Sequence, residues 1–254
     1  MRVGQWVTAA ALALAAILPA SPALAVIGGR DGGPVEASTL MVLNARGGVC
    51  TGIVLSPRAI LTAAHCVSGG TDVRVHWKDG ASAPVLIPPA SVTLHPGYDG
   101  EAIAARRRSI DMALLRMAAP LPQRFTPATL LDGGLPRLGS SVTLTGYGVS
   151  REGEATSTGT YRSIALAAVE PYGPGRLLIW AQAGKPGGGA CQGDSGGPMV
   201  SDAGEVVAVS SWSTGPSGRK CGLLSQGVLV APQRGWIDKT VSAWGESARW
   251  STPR

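Results

Sequence analysis

Hydrophobic and polar positions alternate with a period of two in several short segments. Val73, Val75 and Trp77 alternate with Asp72, Arg74 and His76; Val92 and Leu94 alternate across residues 91–95; Val142 and Leu144 lead into Gly146-Tyr147-Gly148. That period turns one face of a strand inward and the other outward. Residues 53–55, 177–180, 206–209 and 228–230 are instead unbroken apolar runs, the pattern of strands buried on both faces. Turn signals such as Asp79-Gly80 and Gly173-Pro174-Gly175 separate these segments at short intervals. The spacing changes only near the C-terminus, where Trp236, Ile237, Val241 and Trp244 repeat as a helix face does. Pro232 suits the start of that helix and Gly245 its stop, which predicts a helix over 232–244 and leaves 245–254 as a tail without a signal. The proline-rich stretch 118–137, ending in Asp132-Gly133-Gly134 and Pro136, reads as a linker between two halves, about 26–117 and 138–231. The pattern predicts an all-β, turn-rich protein closed by one helix.

The apolar run 7–18 has a different meaning. It follows Arg2 and precedes Ala23-Leu24-Ala25, the order of a signal peptide and its cleavage site. Residues 1–25 are therefore expected to be removed, leaving 26–254 as a secreted or periplasmic chain. No later stretch is long and apolar enough to span a membrane, so no membrane contact is expected after cleavage. The 36 glycines and 19 prolines among 254 residues reinforce the all-β reading. A formal net charge of +6 raises the question of anionic partners, but no basic stripe with interleaved aromatics is present, and no nucleic acid partner is expected. Arg106-Arg107-Arg108, the tight basic run, reads as a solvated loop. Export makes the four cysteines disulfide candidates. Four cysteines allow about three pairings, and sequence alone does not choose among them.

Candidate chemistry centres on Gly193-Asp194-Ser195-Gly196-Gly197-Pro198. A serine between glycines fits a nucleophile on a sharp turn that a substrate can approach closely. The N–H groups of Gly193 and Ser195 are placed to converge on a developing oxyanion. A serine hydroxyl is a weak nucleophile and needs a base, for which His65 is the candidate, with Asp111 to orient it. Asp99 is a rival acid, but it lacks the apolar strand that follows Asp111.

These residues carry a resemblance. Ala63-Ala64-His65-Cys66, Asp111-Met112-Ala113-Leu114-Leu115 and Gly193 to Pro198 resemble the three catalytic blocks of the chymotrypsin/trypsin-like family of serine peptidases, and Val26-Ile27-Gly28-Gly29 resembles that family's mature N-terminus. The resemblance runs from Val26 to about Trp244. It implies two antiparallel Greek-key β-barrels with the active site in the cleft between them and a C-terminal α-helix. It implies an endopeptidase working through His65, Asp111 and Ser195, with Gly193 and Ser195 as oxyanion hole. It pairs Cys50 with Cys66 and Cys191 with Cys221, each bridge worth about 3–4 kcal/mol on loop-entropy grounds. It makes Gly189, Ser211, Trp212, Ser213 and Gly227 the specificity pocket. With no carboxylate among them, cleavage is expected after uncharged residues, small or medium ones favoured. The resemblance further implies that the Val26 amine, once freed, pairs with Asp194. Because the signal-cleavage pattern abuts Val26, signal peptidase is expected to expose that amine. The stretch 72–79 lacks the carboxylate cluster that calcium coordination needs, so neither metal nor other cofactor is expected. Protein or peptide substrates are the expected partners, a protein inhibitor is a further one, and the chain is expected to be a monomer. Two other functions fit the same residues: a catalytically silent binding protein and an esterase-type acyl hydrolase.

Overall fold

A computed structural model describes residues 26–252, apart from 45–46, 70–71, 103–104, 106, 135, 174 and 186. The expected signal peptide and Arg106 lie outside the described residues. The first half forms β1 (Arg30–Asp31), β2 (Thr39–Leu43), β3 (Val49–Ser56), β4 (Ala59–Thr62), β5 (Arg74–Lys78), β6 (Pro84–Ile87), β7 (Ser91–Leu94) and β8 (Ala113–Arg116). The second forms β9 (Thr129–Leu130), β10 (Ser141–Gly146), β11 (Arg162–Val169), β12 (Leu178–Gln182), β13 (Pro198–Val200), β14 (Val206–Thr214) and β15 (Leu224–Leu229). The helix α1 (Arg234–Ser242) and β16 (Arg249–Trp250) follow.

Seven strands in the order β6-β5-β2-β3-β4-β8-β7 make one barrel-like sheet. The other runs β13-β10-β11-β12-β15-β14-β9-β16, and a second pairing of β13 with β14 closes β10 to β15 into a ring. The unbroken apolar run in β3 has a simple cause. Val54 packs inside the first sheet with Leu40, Ile60 and Leu115, while its neighbours Ile53 and Leu55 pack outward against Val209, Val228 and Ile237. Alternate residues of one strand thus serve two cores, and burying each such side chain stabilises by about 1.5–3 kcal/mol. The alternation at Val92 and Leu94 does make a strand, β7, but at the sheet edge, where both side chains remain exposed.

A 3-10 turn at Ala231–Gln233 leads into α1, which buries Ile237 and Val241 one turn apart. The tail contains an element that its sequence does not signal: β16 pairs in parallel with β9, and Trp250 Nε1 donates to Asp238 Oδ1 at 2.8 Å. The proline-rich segment is strapped to the first sheet by Leu121 N–H on Pro57 C=O (2.7 Å) and Ala128 N–H on Val54 C=O (2.8 Å), then joins the second sheet through β9.

Candidate active site

β4 ends at Thr62 and runs into a 3-10 turn, Ala64–Cys66, that carries His65. The Cys50–Cys66 disulfide ties that turn to β3. β8 pairs with β4, Thr62 opposite Ala113, which sets Asp111 beside the turn. Asp111 Oδ2 lies 2.6 Å from His65 Nδ1, and Asp111 Oδ1 accepts the His65 backbone N–H at 2.8 Å. Ser211 Oγ donates to Asp111 Oδ2 at 2.5 Å. Burial alone would raise the Asp111 pKa, but the His65 and Ser211 hydrogen bonds outweigh it and hold the carboxyl below its usual range. The rival Asp99 is engaged elsewhere, by Arg107 at 2.6 and 2.9 Å.

The turn 193–197 enters from the second sheet, ahead of β13. Gly193 (φ +99°) and Gly196 (φ +84°) sit in the left-handed region, and a Cβ at Gly193 would come within 2.6 Å of Gly148 Cα. Only glycine meets both demands. The N–H groups of Asp194, Gly196 and Gly197 are bonded to Cys191, Ser210 and Asp194 carbonyls. Among the described residues the N–H groups of Gly193 and Ser195 have no acceptor. Two donors without a protein acceptor therefore sit on either side of Asp194, at a turn whose Ser195 lines an open pocket. No hydrogen bond joins Ser195 Oγ to His65 among the described residues; Cys66 Sγ lies 3.7 Å from His65 Nε2. Such contacts are often long without substrate and tighten with it.

A pocket opens beside Ser195. Ser211, Trp212 and Ser213 line it, together with Ala190, Arg219 and Lys220. The Cys191–Cys221 disulfide joins its two sides. Glu152 holds the 219–220 segment, accepting Lys220 N–H at 2.7 Å and the Arg219 Nε–H at 3.3 Å. Gly227 is not the facing wall. A Cβ there would meet Ala208 Cβ and Met199 Sδ at 3.0 Å, inside the second sheet. Residues two apart on a strand share a face, and Ser225, buried and paired directly with Ser213, is the one that meets the pocket-lining Ala190 from behind. Ser225 Oγ accepts the Ala190 N–H at 2.9 Å and lies 2.9 Å from where a Cβ of Gly189 would be. Sequence reasoning missed it because a register shift between Ser210 and Trp212 sets which residues face each other.

Val26 is fully buried, packed with Ala190, Val142 and Leu144, and Ile27 C=O accepts the Gly189 N–H at 2.9 Å. Asp194 is fully buried too, but no hydrogen bond joins it to Val26 among the described residues. Its oxygens accept the N–H groups of Gly148 and Cys191, both at 2.9 Å. Burial pushes the Asp194 carboxyl up to about 7, against the pull of those two donors and of Arg162. In the intact chain the Val26 nitrogen is an amide and brings no charge to this carboxylate. Val26 meanwhile holds φ +47°, a left-handed conformation that β-branched residues avoid.

Comparison with known proteins agrees with this architecture. The family profile described as Trypsin matches residues 26–233. A "Trypsin-like protease" of Streptomyces glaucescens is 31% identical over 230 residues, covering 82% of this chain and 81% of its own. Among solved structures, neuropsin, a serine protease of mouse brain, superimposes with a TM-score of 0.68 at 24% identity, over 85% of this chain and 99% of its own. Human heparin binding protein has the same fold, with a TM-score of 0.69 at 22% identity over 84% and 96% of the two chains. The chain belongs to the trypsin family of serine peptidases.

Proposed function

We propose that this protein is an exported serine endopeptidase in which Ser195 attacks the scissile carbonyl, His65 takes and returns the proton, and Asp111 holds the imidazole. The observation that carries the reading is the pair of N–H groups of Gly193 and Ser195 without a protein acceptor in the nucleophile turn, beside a histidine already held by a buried carboxylate. Donors fixed in advance on a developing oxyanion are each worth about 10²–10³ in kcat. A silent binding protein has no use for them. Among the described residues no helix is long and apolar enough to cross a membrane, and the signal pattern at 1–25 supports export.

The pocket favours uncharged, small or medium side chains before the scissile bond. Ala190, Ser211, Trp212 and Ser213 line it without a carboxylate, and the cations Arg219 and Lys220 in its lining disfavour a cationic substrate. A lysine or arginine placed there would be desolvated without a partner, at a cost of several kcal/mol. Activation follows from cleavage before Val26, which gives Asp194 an ammonium partner.

A fluorophosphonate probe should label the mature protein and spare Ser195→Ala, which should also lose turnover of a denatured protein substrate. Retained peptidase activity in Ser195→Ala would refute the reading, and labelling with hydrolysis of esters alone would assign an acyl hydrolase. Matched peptides bearing Ala, Leu, Phe or Arg before the scissile bond should rank the uncharged ones first.

A further inference from the structure

We infer that Thr51 is a positioning residue for the oxyanion donors. Thr51 lies on β3, next to Cys50, and is fully buried. Its backbone N–H donates to Ser195 C=O at 2.8 Å, and its hydroxyl donates to Gly193 C=O at 2.9 Å. The same hydroxyl accepts the Tyr147 N–H at 3.1 Å, so its hydrogen is committed to Gly193 rather than free to rotate. Thr51 C=O in turn accepts the Thr62 hydroxyl at 2.8 Å, from the strand that leads to His65.

The consequence is geometric. The two carbonyls that Thr51 grips belong to the same residues whose N–H groups are unpaired. With Gly193 C=O and Ser195 C=O both drawn toward β3, the turn is pinned from its first-sheet side. Gly193 has no side chain to limit the rotation of its backbone. A rotated Gly193 would lose one of the two donors, and the hydroxyl of Thr51 is the side-chain group that opposes that rotation. The turn also lies unusually close to this residue: a Cβ at Gly196 would fall 2.1 Å from Thr51 O and 2.2 Å from Thr62 Oγ1. The base strand, Thr51 and the nucleophile turn therefore form one hydrogen-bonded chain across the two sheets.

The proposal rests on the endopeptidase reading, so Ser195→Ala is carried alongside. Thr51→Val removes the hydroxyl at nearly constant shape and Thr51→Ser keeps it. Rates are normalised to the sites titrated by the fluorophosphonate. Thr51→Val should lower kcat about ten- to hundredfold, approaching the loss of one oxyanion donor, with KM changed less than twofold. Affinity for a peptidyl boronic acid, which mimics the tetrahedral state, should fall in parallel with kcat/KM, and Thr51→Ser should stay within threefold of the parent. If Thr51→Val does not fold, Thr51→Ala is read in its place with the same expectation. A kcat within twofold of the parent, a loss confined to KM, or a Thr51→Ser as slow as Thr51→Val would overturn the role. If Ser195→Ala turns over peptides, the endopeptidase reading fails instead.

Discussion

Two buried aspartates face opposite ways in charge. Asp111 is 7% exposed and Asp194 is not exposed at all, so burial opposes ionisation in both. Asp111 meets a histidine ring, a backbone N–H and a serine hydroxyl, and its carboxyl is held low. Asp194 meets two backbone N–H groups, and its carboxyl rises to about 7. Neutral donors from the backbone do not replace a partner that can itself carry charge. The first region is electrostatically complete in the intact chain. The second holds its carboxyl on neutral donors, with the charge of Arg162 acting on it and no hydrogen bond between the two among the described residues.

The largest test of that contrast is Asp111→Asn. The neutral amide leaves the shape intact but favours the wrong imidazole tautomer, and kcat should fall about 10⁴-fold, measured on the mature protein. A loss below tenfold would mean that Asp111 is not the orienting acid. Next in size is Asp194→Asn. In a chain processed before Val26 it should remove one partner of a buried pair, costing about 3–5 kcal/mol of the active conformation. In the unprocessed chain the same change should cost less, about the 1–3 kcal/mol of one buried N–H left without its acceptor. Equal effects in both forms would dissolve the comparison.

Titration sharpens it further. A carboxyl whose folded pKa is raised binds its proton more tightly folded than unfolded, so stability falls as pH rises from the unfolded value toward about 7. Chemical denaturation of unprocessed Ser195→Ala, which does not digest itself, should show that decline, and Asp194→Asn should remove it. Asp111 has the opposite sign. Its stabilisation is present at neutral pH and lost as pH falls through its depressed pKa. The smallest effect expected is that of Ser211→Ala, which deletes one hydrogen bond to a charged group, about 1.5–3 kcal/mol. Melts at neutral and strongly acidic pH should differ from the parent only at the former.

What the sequence disclosed tracks how local each signal is. Alternation located β5 and β10, and the apolar runs located β3, β12, β14 and β15, because burial on one face or two is written into neighbouring residues. The edge exposure of Val92 and Leu94 was not legible, since what covers a strand is set by its distant neighbours. β16 was hidden for the same reason: its pairing partner, Thr129–Leu130, lies in the proline-rich crossing segment. The expectations for His65, Asp111 and Ser195 came from the short motifs around them, and the structure places the first two in contact. Ser225 depends on a register shift in the facing strand, and Thr51 on contacts reaching from β3 to Gly193 and Ser195; neither leaves a local mark.

The left-handed Val26 has one more consequence. The angle φ is defined by the atom before the nitrogen, so a residue that begins a chain has none. Whatever strain this valine holds at φ +47° exists only while a residue precedes it. Such strain is on the order of 1–3 kcal/mol, and scission discharges it at the same moment that it creates an ammonium. Rejoining the two ends would have to restore the strain and remove the charge together. Processing before Val26 would thus work as a ratchet, with strain and a neutral amide on one side of the cut and an unstrained ammonium on the other.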